Sequence, residues 1–589
     1  MTDPKRLILN LFEMNCVSHI THGLWRLPGN RRTEFNDIEY WTDLARQLEA
    51  GGFDAVFLAD VVGAYDVFRG GPETAIREGL QIPSNDPLLV VPAMAAVTEH
   101  LGFGITFSTT YEPPFSFARR MSTLDHLTKG RVGWNIVTSY LPNAARNFGL
   151  DGEIDHDTRY EIAEEYLDVL YKLWEGSWDD DAIVEDRERG VYADPEKIRY
   201  INHRGPRYSV AGPHLSSPSR QRTPFLIQAT QSSRGIEFAG RHAELIFTGG
   251  RSFEQVSGTI AKIRDELERQ GRARDDIKFV VGATVIVAAT REEAEAKLAE
   301  YDRYASIDGV LAHASLPFDP TAHPGDITLG EALRREGRGD DLAAAFLPQE
   351  KTIAEFLSTM SGFHRQPFMA VGSPADVADE IESWLDEHDI DGINLVQYHS
   401  PDTASDFIEF AVPELRRRGR LREAYTPGET LRERVHGAGS RVAETHPAGV
   451  TARWHRSTRS RADAGPHPRE ASPASSSSTQ SAARRTVRAS AVSAVASTSA
   501  RSALTTRRSA ATARVSARSS HACRPPGTLA GQPGATDRSQ TSTSISRWMR
   551  ASAPAPATSR DSATTSSTPR RRSSSRVTTR MPHSFARRA

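Results

Sequence analysis

The stretch FGITFSTTYEPPFSFARRMSTLDHLTKGRVGWNIVTS, Phe103–Ser139, decides the architecture. It begins and ends in short runs rich in β-branched and aromatic residues, Phe103–Thr109 and Arg131–Ser139. Apolar residues fill these runs almost continuously instead of alternating, the mark of a strand covered on both faces. Residues 110–130 leave room for a loop and a helix, so the unit reads as strand, helix, parallel strand.

Six further runs continue the rhythm: Leu7–Phe12, Asp54–Asp60, Pro224–Thr230, Leu245–Gly249, Phe279–Ala288 and Gly392–Tyr398. Amphipathic stretches of helix length lie between them. In Asp37–Ala50, Ile38, Trp41, Leu44 and Leu48 recur at spacings of three and four, and Ile162, Tyr166, Val169, Leu170 and Leu173 repeat this in Thr158–Trp174. Ser373-Pro374 supplies a cap and a first-turn proline to Ala375–Leu385. Eight strand–helix units predict an α/β fold, a closed TIM (β/α)8 barrel. Two connections are too long for plain loops: Tyr140–Thr223 after the fourth strand and Arg291–Asp391 after the seventh. Such insertions usually decorate the active-site end of a barrel.

The last part of the chain differs in kind. Residues 457–589 consist largely of Ser, Ala, Thr, Arg and Pro, with 23 Arg, no Lys and four acids, a net charge of +19. The whole chain is −2, so residues 1–456 carry −21. We expect one folded domain over 1–456 and a disordered Arg/Ser/Ala-rich tail over 457–589. That tail is either a basic arm for anionic partners or the product of a GC-rich gene read out of frame. The acidic body repels phosphate backbones, so nucleic-acid binding by the folded part is not expected. Two cysteines, Cys16 and Cys523, give no disulfide framework within the fold. With no signal pattern at the start and no apolar run of about twenty residues, a cytoplasmic protein with no membrane partner is expected.

In a barrel, chemistry collects at the carboxyl ends of the strands. After the first run, Glu13–Trp25 (EMNCVSHITHGLW) crowds polar, thiol and aromatic groups that suit a pocket mouth or, equally, an ordinary loop with a buried cysteine. The second run ends in Asp60, the third in hydroxyls beginning with Ser108, and the fourth places Asn135 in an apolar strand where its amide needs partners. The fifth leads through Thr230-Gln231-Ser232-Ser233 into a helix, an arrangement open to an anion or to a plain serine cap. No G-x-G-x-x-G fingerprint follows any strand, and no histidines fall at a metal-binding spacing, so no metal is expected.

Several longer motifs occur in order: FEMNC (Phe12–Cys16), HGLWR (His22–Arg26), FLADVVG (Phe57–Gly63), NDPL (Asn85–Leu88), STTYEPP (Ser108–Pro114), YKLWEGSW (Tyr171–Trp178) and DGINLVQY (Asp391–Tyr398). Together they resemble the bacterial luciferase-like flavin monooxygenase superfamily, in its branch of nitrilotriacetate, dibenzothiophene-sulfone and long-chain alkane monooxygenases. FEMNC and Tyr65 point to the alkane enzymes. The resemblance implies the oxygenase half of a two-component system. A separate flavin reductase supplies reduced FMN, and dioxygen then oxygenates a small organic substrate such as a long-chain alkane, a sulfone or an aminopolycarboxylate. It also implies self-association as a dimer or tetramer. Asp60, Ser108, Asn135, His156, Tyr160, Ser232 and Ser233 would contact FMN. Cys16, His19, Tyr65 and His313 would line the reaction cavity, with His19 or His313 giving a hydrogen bond or proton to the reacting oxygen. Thr230 replaces the family's usual glycine, narrowing the backbone's approach to a phosphate. Gln366 or Pro367 stands where an alkane pocket would carry tryptophan. The same superfamily also holds deazaflavin-dependent dehydrogenases, the alternative activity.

Overall fold

The computed structural model describes residues 5–338, 347–363, 367–437 and 439–452, all within one unit, Met1–Arg469. The boundary expected after Arg456, the tail 457–589 and Gln366 lie outside the described residues. Thirteen strands form: β1 (Ile8–Met14), β2 (Ala55–Ala59), β3 (Gly102–Ser108), β4 (Val132–Val137), β5 (Ile183–Asp186), β6 (Val191–Ala193), β7 (His203–Arg204), β8 (Ser209–Val210), β9 (Phe225–Ala229), β10 (Leu245–Thr248), β11 (Lys278–Val287), β12 (Met369–Gly372) and β13 (Gly392–Val396). Each of the eight expected runs is a strand, with ends moved by no more than two residues.

The eight are all parallel and close on themselves. β1 pairs with β2 and β13; the ring then runs β2, β3, β4, β9, β10, β11 and back to β13. This is the expected barrel. β12 is an additional strand that the sequence pattern did not reveal. It pairs with the outer half of β11, Thr284–Val287, while Val280–Ala283 of β11 serve β13. Serving two partners in succession accounts for the ten-residue length of β11.

Side chains sort by the two-residue period of the strands. Leu9, Leu11, Val56, Leu58, Trp134 and Ile136 face the surrounding helices, and Phe12, Phe57, Phe225, Ile227 and Val280 fill the barrel interior. The short helix Leu431–His436 plugs the floor. Leu431 Cδ1 lies 2.7 Å from where a Cβ on Gly102 would stand, so only glycine admits the plug. Next to it, buried Arg432 clasps Glu244 at 2.6 and 2.8 Å and donates to the carbonyls of Thr223 and Pro224.

The insertions stand where the sequence placed them. The first contains the helices Pro142–Asn147 and His156–Gly176 and the hairpins β5–β6 and β7–β8. The second contains the helices Arg291–Tyr304, Ile307–His313, Leu329–Arg335 and Ile353–Met360, then β12 and the helix Pro374–Glu387, whose Ser373 forms the expected cap. No helix among the described residues is long and apolar enough to cross a membrane.

Candidate active site

The carboxyl ends of β2, β4 and β9 open into a cavity of about 320 Å3. Val61, Val137, Leu141 and Phe238 give it apolar walls, and Asp60, His156, Tyr160 and Gln228 are among its polar groups. A concave, mostly apolar site with few polar groups at this end of a barrel suits a small ligand.

Three of the sequence-derived cofactor residues, Asp60, His156 and Tyr160, line the cavity directly. His156 opens the helix His156–Gly176, its ring 5.2 Å from that of Tyr160, which packs in turn on Phe238. Ser108 reaches the cavity indirectly, accepting a hydrogen bond at 2.8 Å from Ser139, a wall residue. Asn135 lies one residue before the wall and donates to Thr106 Oγ1 at 2.9 Å. Ser232 caps the helix Ser233–His242 by accepting from the Gly235 N–H at 3.1 Å, and Ser233 is its first residue. Asn135 Oδ1, Gln228 Oε1 and Thr230 Oγ1 are buried with no partner. Such orphans are rare and need an explanation. A planar ring edged with donors and acceptors and carrying a phosphate would satisfy them, so these residues fit a flavin nucleotide.

The second sequence-derived set forms a cluster beside the cavity. Phe12 in the barrel mouth stacks on His19 at 5.4 Å; His19 meets His313 at 5.3 Å; and Tyr65 packs its edge on His313 at 5.0 Å. Cys16, fully buried, donates its thiol to the Ser18 carbonyl at 3.3 Å. Three residues that sequence reasoning missed complete the cluster. His22 Nε2 lies 2.9 Å from His313 Nδ1, Gln81 hydrogen-bonds His19 Nδ1, and Tyr140 OH lies 2.5 Å from Tyr65 OH. Tyr140 also lines the cavity, so the two halves share a wall. Gln81 arrives because the loop after β1 pairs with residues 79–81: Ser18 N donates to Gly79 O at 3.1 Å and Gln81 N to Ser18 O at 2.9 Å. His22 stood within the HGLWR motif, but no spacing linked it to a residue 291 positions away.

The luciferase-like monooxygenase profile matches residues 17–388. The chain belongs to that family. Long-chain alkane monooxygenase of Geobacillus thermodenitrificans (strain NG80-2) is 49% identical to it over 446 residues, 75% of this chain and 97% of that protein. Dimethyl-sulfide monooxygenase of Hyphomicrobium sulfonivorans is 46% identical over 454 residues, 75% of this chain and 93% of that protein. A crystal structure of a riboflavin lyase with modified FMN and substrate riboflavin superposes with a TM-score of 0.68 at 37% identity, covering 76% of this chain and 99% of that one. The chain is accordingly an enzyme, a luciferase-like monooxygenase that works with reduced flavin.

In this luciferase-like monooxygenase, burial drives the titratable groups at the barrel mouth toward their neutral forms. Burial, then the like charge of Asp86, lifts the Asp60 carboxyl to about 7. Burial and nearby Asp60 push the Cys16 thiol up, and burial and Tyr140 raise the Tyr65 phenol. Burial lowers His313 to about 4, and burial plus neighbouring imidazoles holds His19 and His22 well below the usual histidine range. Desolvation opposes the charged form of every group, acid or base. The neutral imidazoles are thereby suited to donate hydrogen bonds more than to deliver a proton outright, the other role raised for His19 and His313.

Proposed function

We propose that this chain is the FMN-dependent oxygenase component of a two-component system, fed with reduced FMN by a separate reductase. Its substrate in this reading is a small, uncharged, apolar molecule such as an alkane or a dialkyl sulfide. Bound reduced FMN supplies the activation of dioxygen and the transfer of one oxygen atom. Asp60, Ser108, Asn135, His156 and Tyr160 orient the ring and its side chain, and Ser232 and Ser233 meet the phosphate at the helix start. Cys16, Tyr65, His19 and His313 enclose the reacting space and exclude water. Cys16 shapes that space without attacking, because its raised pKa keeps it a thiol. His19 or His313 donates a hydrogen bond to the reacting oxygen from a neutral ring.

The observation that carries the substrate class is the make-up of this cluster, with His22 buried and His19 and His313 half-buried, all held below the usual histidine range, beside a thiol and a phenol. Arg159, which lines the adjoining cavity, is already paired with Glu153, so an aminopolycarboxylate would bring its several carboxylates against neutral groups, at a large desolvation cost. The two relatives above 45% identity, named for an alkane and for dimethyl sulfide, favour the same class. The test supplies a reductase and compares alkanes, dialkyl sulfides, dibenzothiophene sulfone and nitrilotriacetate, reading oxygenated product by mass spectrometry. Product from an alkane or sulfide alone is expected; product only from nitrilotriacetate would sink the substrate class.

A further inference from the structure

The helix Ser233–His242 begins beside the cavity, and the N–H groups of its first turn have no partners inside the helix. Three hydroxyls converge over Gly235 in that turn. A Cβ placed there would lie 1.8 Å from Thr230 Oγ1, 2.6 Å from Tyr160 OH and 2.9 Å from Ser232 Oγ. The space exists only because residue 235 is glycine. Thr230 is 8% exposed, and its hydroxyl has no hydrogen-bond partner. Arg234 is engaged with Glu237 at 2.5 Å, so the pocket is built from neutral donors and the positive end of a helix.

We propose that Thr230 is a phosphate-selecting residue: its hydroxyl, with those of Tyr160 and Ser232, clasps the terminal phosphate monoester and gives the site its preference for FMN over riboflavin. The proposal rests on the FMN reading above and adds the residue that discriminates between phosphorylated and free flavin. A hydroxyl that donates to a phosphate oxygen makes a charge-assisted bond, while riboflavin leaves it unmatched. The threonine that narrows the backbone's approach here supplies the contact in its place.

The experiment is anaerobic calorimetric titration of the full chain with reduced FMN and with reduced riboflavin. Wild type is expected to bind FMN at least about tenfold more tightly, and Thr230→Val to weaken FMN about tenfold with riboflavin unchanged, the scale of one charge-assisted hydrogen bond. Thr230→Ser restores FMN affinity. Gly235→Ala, which puts a methyl group where the hydroxyls converge, reproduces the selective loss. Unchanged FMN affinity in Thr230→Val, or an equal loss for both flavins, overturns the proposal. Equal affinity of wild type for the two flavins overturns phosphate selection and leaves flavin binding standing. Binding of neither flavin overturns the FMN reading and the proposal together.

Discussion

Replacing His22 with phenylalanine asks whether the facing imidazole pair links oxygen use to product formation. His22 Nε2 and His313 Nδ1 face each other at 2.9 Å, and burial keeps both rings neutral near pH 7. Two neutral imidazoles in contact share one proton between the facing nitrogens, so the tautomer of one ring dictates that of the other. With His22 donating, His313 Nδ1 accepts and its Nε2–H is left free to donate elsewhere. Phenylalanine keeps the aromatic volume of the 5.0 Å ring contact but removes the hydrogen bond, leaving a buried nitrogen unsatisfied. That costs about 1–3 kcal/mol, and if it falls wholly on the oriented state of His313, coupling drops about 5- to 150-fold. The assay measures product, oxygen uptake and hydrogen peroxide in one vessel supplied with reductase. Oxygen uptake and FMN affinity are expected to persist while the product fraction falls by that factor, and His22→Gln recovers part of it. Coupling within twofold of wild type in His22→Phe, alongside its loss in His313→Phe, would refute the reasoning.

His19→Phe keeps the stack on Phe12 and removes the Gln81 contact, so hydrogen peroxide release should rise with FMN binding intact; unchanged coupling removes His19 from the mechanism. Asp60 has a folded pKa of about 7, above its unfolded value, so the stability it contributes is full at low pH and lost as pH rises through about 7. Asp60→Asn should flatten that limb, shifting the difference between variant and wild-type denaturation energies by about 2–3 kcal/mol from pH 5 to 8; a parallel pH profile would contradict it. Burial raises the Glu244 carboxyl, but Arg432 outweighs this and holds it at about 2. Arg432→Met strands that charge and should cost about 3–5 kcal/mol in urea denaturation, with much of the loss recovered by adding Glu244→Gln; a single variant as stable as wild type would exclude the pair as a floor clamp.

The barrel was legible because fully buried parallel strands read as continuous apolar runs, a pattern that survives without neighbours. β12 escaped because MAVG is four residues long and alternates between buried and half-buried positions. The helix Leu431–His436 escaped for a different reason. Its worth lies in Leu431 entering the barrel and Arg432 reaching Glu244, contacts that link residues 188 positions apart and leave no local period. The site divided in the same way. Asp60, Ser108, Asn135 and Ser232 were visible as polar residues at the ends of predicted strands, where barrel geometry gives position a meaning. His22, Gln81 and Tyr140 act through contacts brought about by loop pairing and by the two insertions, so their roles follow from tertiary contacts alone. His156 and Tyr160, by contrast, came through the family resemblance, and nothing in the local sequence of their helix distinguishes them from other residues on its surface.

Two kinds of buried ionisable group occur in this barrel, and the contrast bears on how the site works. Ion pairs stand at either end, Glu13 with Arg32 at the carboxyl end of β1 among them, and groups without a counter-charge lie at the mouth. At the floor, Glu244 meets Arg432 and Asp54 meets Arg422, charge against charge. A buried ion pair of this kind fixes geometry, and losing one partner exposes the cost of the other. At the mouth, Asp60, Cys16, Tyr65 and the three imidazoles have no such counter-charges among their dominant interactions, and desolvation shifts each toward its neutral form. Strongly perturbed groups in a cleft mark a working site more often than a structural one. Excluding water from an oxygen-transfer site and neutralising its side chains are then one physical act. A mutation that admits water to the cluster should undo both, returning the histidines toward their ordinary range as coupling falls.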